Sequence, residues 1–249
     1  MNIRLTGLFD TVFIISVMRD IKIPNSKPKL NLLGAAEGLF AERGFDAVSV
    51  RDITQAAKAN VAAVNYHFGS REGMVALVIS RYMSPINEER LLRLDALEKK
   101  KGAAPLNDIL DAFVRPVLNS AKQSDLPEQT YCMLVGRIFA MGGDAFPVDV
   151  ENQLQECVQR YAKVLGKALP LVDKEELIWR LHFVMGSLIH ALMHQETMDR
   201  LSGGLSGKPS MEVLLSRFVR FAAAGLQEGV EVEVAETKGK KGPQATFDF

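Results

Sequence analysis

Residues 49–73 read SVRDITQAAKANVAAVNYHFGSREG, and the rest of the chain is organised around them. Ser49, with Asp52 three positions later, forms a capping-box pattern in which each side chain bonds the backbone N–H of the other residue. A helix is therefore expected to begin at Ser49, and its apolar residues recur at helical spacing for about two turns. Asn60 is a typical cap for a second helix. The stretch thus predicts two short helices joined by a tight turn.

The second of these helices has one apolar face and one small or polar face. Val61, Val64 and Phe68 follow each other at i, i+3 and i+7 and are expected to point inward. The outer face would then carry Ala62, Ala63, Asn65 and Tyr66. Two short helices of this kind are typical of the helix-turn-helix, whose second helix enters the major groove of DNA. A small three-helix unit without a DNA role is the alternative interpretation.

Base and phosphate contacts are predicted for different residues of this face. Asn65 can bond an adenine in bidentate fashion, and the methyl groups of Ala62 and Ala63 can meet a thymine methyl. Phosphate contacts, which position a protein without specifying sequence, are predicted for Tyr66, His67 and Arg71.

The stretch NVAAVNYHFGSREG (residues 60–73), preceded by LFAERGFDAVSVRDITQAA (residues 39–57), resembles the N-terminal domain of TetR-type repressors. The resemblance covers residues 30–77 and rests on the GF turn, the S-x-R-D-I cap and the Y-H-F-x-S-R-E run at the distances expected of that family. It implies base contacts at Ala62, Ala63 and Asn65. It implies phosphate contacts at Ser49, Asn60, Tyr66, His67 and Arg71. Asn65 stands where the family often has an aromatic residue.

Composition indicates a soluble, all-α protein with an ordinary core. Of its 249 residues, 47% are hydrophobic and 24% charged, and the formal net charge is zero, which disfavours a strongly basic, non-specific nucleic-acid binder. Residues 1–73 carry nine basic and seven acidic side chains. With so small an excess of positive charge, DNA affinity has to come from the placement of a few cations and N–H groups and from the binding of two half-sites together. A homodimer acting on a palindromic operator is therefore expected. Cys132 and Cys157 are expected to be buried, reduced thiols of a cytoplasmic protein.

The chain divides into four predicted segments. Residues 1–26 are a disordered or mis-assigned extension, with Met18 an alternative start; their apolar run is too short to span a bilayer. Residues 27–73 form the helix-turn-helix domain, and residues 74–227 form a helical domain for effector binding and dimerisation. A long helix over residues 70–101 links the two, and its charged run from Glu88 onward is interpreted as a solvated face. Residues 228–249 are predicted to be a disordered tail.

Large, adaptable apolar side chains are concentrated between residues 113 and 193, where they form either ordinary core or the wall of an effector chamber. The predicted chamber residues are Phe113, Val117, Tyr131, Leu134, Arg137, Ile138, Met141, Trp179 and Phe183. Arg137 lies among apolar neighbours on its helix, and a buried cation needs an anion. It is predicted to bind a ligand carboxylate or phosphate, with a structural salt bridge as the alternative.

Residues 175–193, EELIWRLHFVMGSLIHALM, together with ALP at 168–170, resemble a subgroup of TetR-type regulators that respond to fatty acids or acyl-CoA. This resemblance implies an elongated apolar effector. Small residues on the same helix allow close contact with the last helix of the chain in a four-helix interface between two copies. The predicted interface residues are Gly186, Ser187, Leu214, Phe218 and Phe221.

No pattern of catalytic residues stands out, so an enzyme is not expected. His190 and His194 are spaced i, i+4 like metal ligands, but no suitably spaced acidic residue or cysteine accompanies them, and neither metal nor cofactor is predicted. The leading hypothesis is a repressor released from a DNA operator by a small apolar effector, for which a fatty acyl compound is one candidate. The alternative is a carrier protein whose N-terminal helices contact another protein.

Overall fold

The computed structural model describes residues 26–141 and 146–227. These residues form ten α-helices and no strand, which confirms the all-α prediction. The helices are α1 (Lys27–Arg43), α2 (Val50–Ala56), α3 (Val61–Phe68), α4 (Arg71–Glu98), α5 (Leu106–Gln123), α6 (Glu128–Ala140), α7 (Val148–Ala168), α8 (Lys174–Met193), α9 (Gln195–Leu201) and α10 (Met211–Gln227). The predicted extension, apart from Ser26, and the predicted tail lie outside the described residues.

Helices α1 to α3 form the N-terminal three-helix unit. The capping box is present, because Ser49 N donates to Asp52 Oδ2 at 2.8 Å and Asp52 N donates to Ser49 Oγ at 3.2 Å. Asn60 caps α3 by accepting from the Ala62 backbone N–H at 3.0 Å. Both helix starts predicted from the sequence are therefore confirmed.

The inward face of α3 differs from the prediction at its first residue. Val64 is fully buried and Phe68 packs against the core, but Val61 is 44% exposed. A Cα–Cβ bond tilts toward the N-terminus of its helix, so the first residue of a short helix projects beyond the packed turn. Ala63 is half-buried instead and contributes to the core.

Helix α4 follows the helix-turn-helix directly and is 28 residues long, which corresponds to about 42 Å. Ser70 caps it by accepting from the Gly73 backbone N–H at 3.1 Å. The helix packs against α3 near its start and against α5 and α7 further along. Its charged second half is not a uniformly solvated face, because Asn87 and Arg90 point inward and are buried. The spacing of charged residues along a helix does not show which of them faces a neighbouring helix.

Helices α5 to α10 form the C-terminal helical unit. Helix α10 packs against α5 and α8, while α6 packs against α8 and also against α1 of the N-terminal unit. Residues 173–198, with Asp173 as the cap, predict one long helix, but the structure divides it, since α8 ends at Met193 and α9 begins at Gln195. No helix of the described ranges combines the length and apolar character needed to cross a bilayer.

Candidate DNA interface, effector cavity and dimer face

The outer face of α3 presents the side chains predicted to meet DNA. Ala62, Asn65 and Tyr66 are exposed, with Tyr66 at 85%, whereas Ala63 and His67 are half-buried. The caps at Ser49 and Asn60 are also exposed. Exposed amide and hydroxyl groups on a helix held rigidly at its N-terminus suit base-edge and phosphate contacts. These contacts themselves stay predictions.

Arg71 has a structural role that the sequence did not reveal. Its Nε donates to the Val48 carbonyl at 2.9 Å, and its Nη2 donates to the Phe45 carbonyl. The guanidinium thereby ties the start of α4 to the segment between α1 and α2. The phosphate contact predicted for Arg71 stays a prediction. Its observed hydrogen bonds stabilise the N-terminal three-helix unit, which we call the recognition unit.

Arg137 does not occupy the buried, unpaired position expected of it. It is half-buried, its Nε donates to the Ala41 carbonyl at 2.9 Å, and its Nη2 donates to the Glu42 carbonyl at 3.0 Å. The last carbonyls of a helix have no intrahelical partner and lie at the negative end of its dipole, so a guanidinium stabilises them. Arg137 therefore joins α6 to the C-terminal end of α1, and its partners are carbonyl oxygens instead of a carboxylate.

A cavity of about 1110 Å³ lies at the junction of the two units. Its walls come from α1, α6, the junction of α8 with α9, and the segment before α10. The lining residues are Gly34, Ala35, Gly38, Leu39, Ala41, Glu42, Glu128, Gln129, Thr130, Cys132, Met133, Arg137, Leu192, Met193, His194, Gln195, Glu196, Thr197, Lys208, Pro209 and Ser210. Six of these residues belong to α1, the first helix of the N-terminal three-helix unit.

This cavity is not the chamber predicted from sequence, since Arg137 is the one predicted chamber residue among its lining residues. Four of the others are fully buried core: Val117, Tyr131, Leu134 and Ile138. Phe113 and Met141 are half-buried and pack against that core. Trp179 and Phe183 do not line this cavity and are 52% and 65% exposed on α8. Helical spacing identifies an apolar face but does not say whether that face meets the chain's own core.

The exposed faces of α8 and α10 carry an apolar surface that we call the paired-helix face. It consists of Ile178, Trp179, Phe183, Val213 and Phe221, all at least 44% exposed. Gly186 is also exposed, so it and Phe221 are available for the predicted contact between copies.

Three predicted interface residues are placed less favourably. Phe218 is 5% exposed and packs in the chain's own core. Leu214 is half-buried against the core, and the half-buried Ser187 donates its hydroxyl to the Val184 carbonyl at 2.8 Å.

The thiol and imidazole groups show no metal centre within the described residues. No group of three or more potential ligands gathers there, although the rings of His190 and His194 lie 4.5 Å apart. Both cysteines are buried and free. Burial raises the pKa of the Cys132 thiol to about 12, so this thiol is protonated and unreactive at neutral pH.

Comparison with known families gives two matches in separate parts of the chain. Residues 32–78 match the model described as "Bacterial regulatory proteins, tetR family", and residues 111–225 match the model "Tetracyclin repressor-like, C-terminal domain". The first match contains α2, α3 and the start of α4, and the second contains the helices that form the paired-helix face.

Similar proteins include the HTH-type transcriptional repressor Rv3405c of Mycobacterium tuberculosis, 36% identical over 77 residues, which are 30% of this chain and 40% of that protein. The HTH-type transcriptional repressor NicS of Pseudomonas putida is 31% identical over 87 residues, 34% of this chain and 41% of that protein. The chain thus matches about two-fifths of the length of these curated relatives. The solved structure of the fatty acid degradation regulator FadR from Bacillus halodurans has a TM-score of 0.51 at 13% identity, covering 82% of this chain and 98% of that one. This likeness concerns the fold alone.

Proposed function

Because the chain belongs to the tetR family of bacterial regulatory proteins, we propose that it is a DNA-binding transcriptional repressor whose hold on its operator is controlled by a small ligand. The observation that carries the proposal is the outer face of α3, where Asn65 and Tyr66 are exposed on a helix capped by Asn60. A repressor of this kind acts in the cytoplasm, where the DNA is. We expect neither catalysis nor a cofactor.

The operator should be a palindrome bound by two copies of the chain. Each copy offers one recognition helix, α3. The small excess of positive charge in residues 1–73 favours binding through two half-sites. The paired-helix face supplies the apolar surface for that pairing, since large exposed apolar patches mark interaction sites. Half-sites one turn apart require the two α3 helices to lie about 34 to 36 Å from each other.

We further propose an effector with an elongated apolar body and one acidic group, of the fatty acyl class. The sequence of α8 supports this class through its resemblance to acyl-responsive regulators. Helix α4 transmits the effect of the bound effector to the DNA-contacting residues, because it starts at the recognition unit and packs against α5 and α7 further along. An effector acts only through its different affinities for the two shapes of the protein, typically about 1 to 3 kcal/mol.

The test of the DNA role is selection of bound fragments from random DNA, followed by gel-shift titration at two salt concentrations. We expect a palindromic consensus and an affinity that falls steadily with salt, because a few phosphate contacts release counterions. Binding without sequence preference at either salt concentration would reject the repressor and favour the carrier protein with an N-terminal protein-contact surface.

A further inference from the structure

Arg90 is a buried cation in the middle of the C-terminal helical unit. It lies on α4, and its side chain is among the largest fully buried ones, with 1% of the residue exposed. Its guanidinium carbon lies 4.2 Å from the centre of the Phe113 ring and 5.4 Å from that of Phe139. The two rings offer the charge a favourable electrostatic contact, but they do not neutralise it.

Polar groups around Arg90 are left with unused hydrogen-bonding capacity. Arg90 Nε donates to the Phe113 carbonyl at 3.0 Å and Nη1 donates to Asn87 Oδ1 at 3.3 Å, while Nη2 has no partner. Asn87 Nδ2 and Tyr161 Oη are also buried without a partner. Tyr161 belongs to the same cluster, because its ring meets the Phe113 ring edge-on at 5.3 Å. Arg90 Nη2, Asn87 Nδ2 and Tyr161 Oη are thus three unpaired potential donors in one cluster that also contains Phe113.

Other arginines of this region have the counter-ions that Arg90 lacks. Arg93, three residues further along α4, has Nη2 2.7 Å from Glu89 Oε1. Arg160 on α7 pairs with Asp95 and Glu98 at 2.6 and 3.0 Å. No carboxylate in the described ranges forms an ion pair with Arg90. Burying a charge without an opposite charge is costly, and unsatisfied buried groups of this kind call for an explanation.

An anion supplied from outside would remove that cost, and the donor set indicates its kind. A guanidinium donates two parallel hydrogen bonds to a carboxylate, and the carboxylate has lone pairs left to accept from an amide and a hydroxyl. A single positive charge suits a monoanion better than a doubly charged phosphate. The aromatic rings of Phe113 and Phe139 beside the guanidinium provide apolar contacts for the uncharged part of the anion.

We propose that Arg90, with Asn87 and Tyr161, binds the carboxylate of an apolar organic acid. The inference deepens the proposed function, on which it rests for its regulatory meaning, and it places the acidic group of the effector at Arg90 instead of Arg137. Phe113 is half-buried and contacts both Arg90 and Tyr161, and a shift of its ring would open the cluster to the acid. Because Arg90 is on α4, the bound acid acts on the helix that begins at Arg71, beside the recognition helix.

The binding test uses calorimetric titration of the full chain with sodium octanoate, 1-octanol and inorganic phosphate. We expect octanoate to bind at one site per chain, and 1-octanol and phosphate to bind at least about tenfold more weakly, because neither combines the charge with the apolar body. Arg90→Met should weaken octanoate binding by a similar factor. Arg93→Met is the matched control on the same helix and should bind octanoate like the wild type.

The proposal is overturned if wild type shows no octanoate binding, if 1-octanol or phosphate binds as tightly as octanoate, or if folded Arg90→Met binds octanoate like the wild type. Thermal unfolding without ligand shows whether Arg90→Met is folded, and we expect its midpoint to stay or rise, because replacing an uncompensated buried charge with an apolar side chain removes its cost. If Arg90→Met does not fold, octanoate binding by Tyr161→Phe tests the proposal instead. It removes one hydroxyl, keeps the ring and should weaken octanoate binding about threefold; unchanged affinity would then overturn the proposal.

Failure of this inference is distinguishable from failure of the repressor assignment. The titration contains no DNA, so a chain that binds octanoate but no operator keeps the carboxylate site and loses the regulatory role. A chain that selects an operator but does not bind octanoate keeps the DNA role, and the Arg90 site is rejected.

Discussion

Arginine side chains hold the main chain of the recognition unit from two directions. Arg71 donates to the carbonyls of Phe45 and Val48, and Arg137 donates to those of Ala41 and Glu42. Hydrogen bonds from a charged donor are stronger than neutral ones, and a guanidinium offers several donors in a fixed geometry. The segment from the end of α1 to the start of α2 is therefore fixed by side chains from α4 and α6.

The first prediction concerns base reading by Asn65. Replacing Asn65 with alanine should change the preferred base at one position of each half-site, by about 1 to 3 kcal/mol, because a bidentate amide contact to adenine is lost. Tyr66→Ala should instead weaken binding about equally on all sequences, as expected for a phosphate contact. Gel-shift titration on the selected operator and on its single-base variants measures both effects. Equal losses on every sequence for Asn65→Ala would reject its base-reading role.

The second prediction concerns Glu37, a carboxyl on α1 that is 4% exposed. Burial raises its pKa above the ordinary value of 4.5, although Arg81 Nε lies 3.4 Å from Glu37 Oε1 and opposes the shift. The folded state therefore binds a proton at Glu37 more tightly than the unfolded state does. The resulting stabilisation is present below about pH 4.5 and is lost as the pH rises through the raised pKa.

Glu37→Gln removes this titration while keeping the shape of the side chain. Urea unfolding of both proteins across the acidic range should show the unfolding free energy of the wild type falling relative to that of the variant as the pH rises. The variant should be at least as stable at neutral pH, because it buries no charge. A difference between the two proteins that does not change with pH would contradict the raised pKa.

Residues that act locally were predicted well, and residues that act across the fold were not. Ser49, Asp52 and Asn60 form caps within a few positions of themselves, so their pattern is visible in the sequence. Arg137 bonds carbonyls about a hundred positions earlier in the chain, and carbonyl oxygens leave no signature in a sequence. Arg90 stands in a charged run that resembles a solvated face, and only the packing of α5 and α7 on α4 buries it.

At the scale of elements, α1 is shared between the two units. It packs against α2 and α3 within the recognition unit and against α6 of the C-terminal unit. Gly44, which ends α1 with a φ of +86°, leaves space for the Arg137 guanidinium, since a Cβ there would lie 3.0 Å from Arg137 Nη1, closer than an ordinary van der Waals contact. The α1 to α6 contact is thus a second connection between the units, besides the continuous helix α4.

The third prediction tests this connection. Arg137→Met keeps much of the side-chain volume but loses both hydrogen bonds, so the unfolding free energy should fall by about 1 to 3 kcal/mol. Amide hydrogen exchange should become faster at the last turn of α1 and in the segment after it. Arg115→Met on α5 is the control, because Arg115 makes exposed ion pairs with Asp111 and Glu212 and should lose less than about 1 kcal/mol. Similar losses in both variants, without faster exchange near Gly44, would contradict the connection.

Helix positions followed from the sequence more reliably than helix surroundings. Polar caps show where α2 and α3 begin, and α4 ends within three residues of its predicted bounds, because those signals depend on local backbone geometry. The division of α8 from α9 at His194 was missed, since no Gly or Pro marks it. The lining of an effector chamber is harder to predict, because an apolar helix face has the same sequence pattern whether it meets a core, a ligand or another chain.

At the scale of the whole molecule, the paired-helix face and the recognition helix depend on each other. A chain with one recognition helix and little excess positive charge gains affinity chiefly by binding two half-sites at once. The paired-helix face exposes five large apolar side chains that one copy alone leaves in water. Pairing two copies through this face would bury those side chains and fix the distance between the two α3 helices.

The last prediction is that breaking this face releases DNA without touching a DNA-contacting residue. Phe183 is 65% exposed on α8, and Phe183→Glu puts a charge where the partner copy would bury a ring. We expect a monomer in sedimentation experiments and a loss of about 100-fold or more in affinity for the full operator, while affinity for an isolated half-site stays unchanged. Leu205→Glu is the matched control, because Leu205 is 91% exposed and lies outside the paired-helix face. A Phe183→Glu protein that remains dimeric and binds the full operator like the wild type would show that the copies pair through another surface.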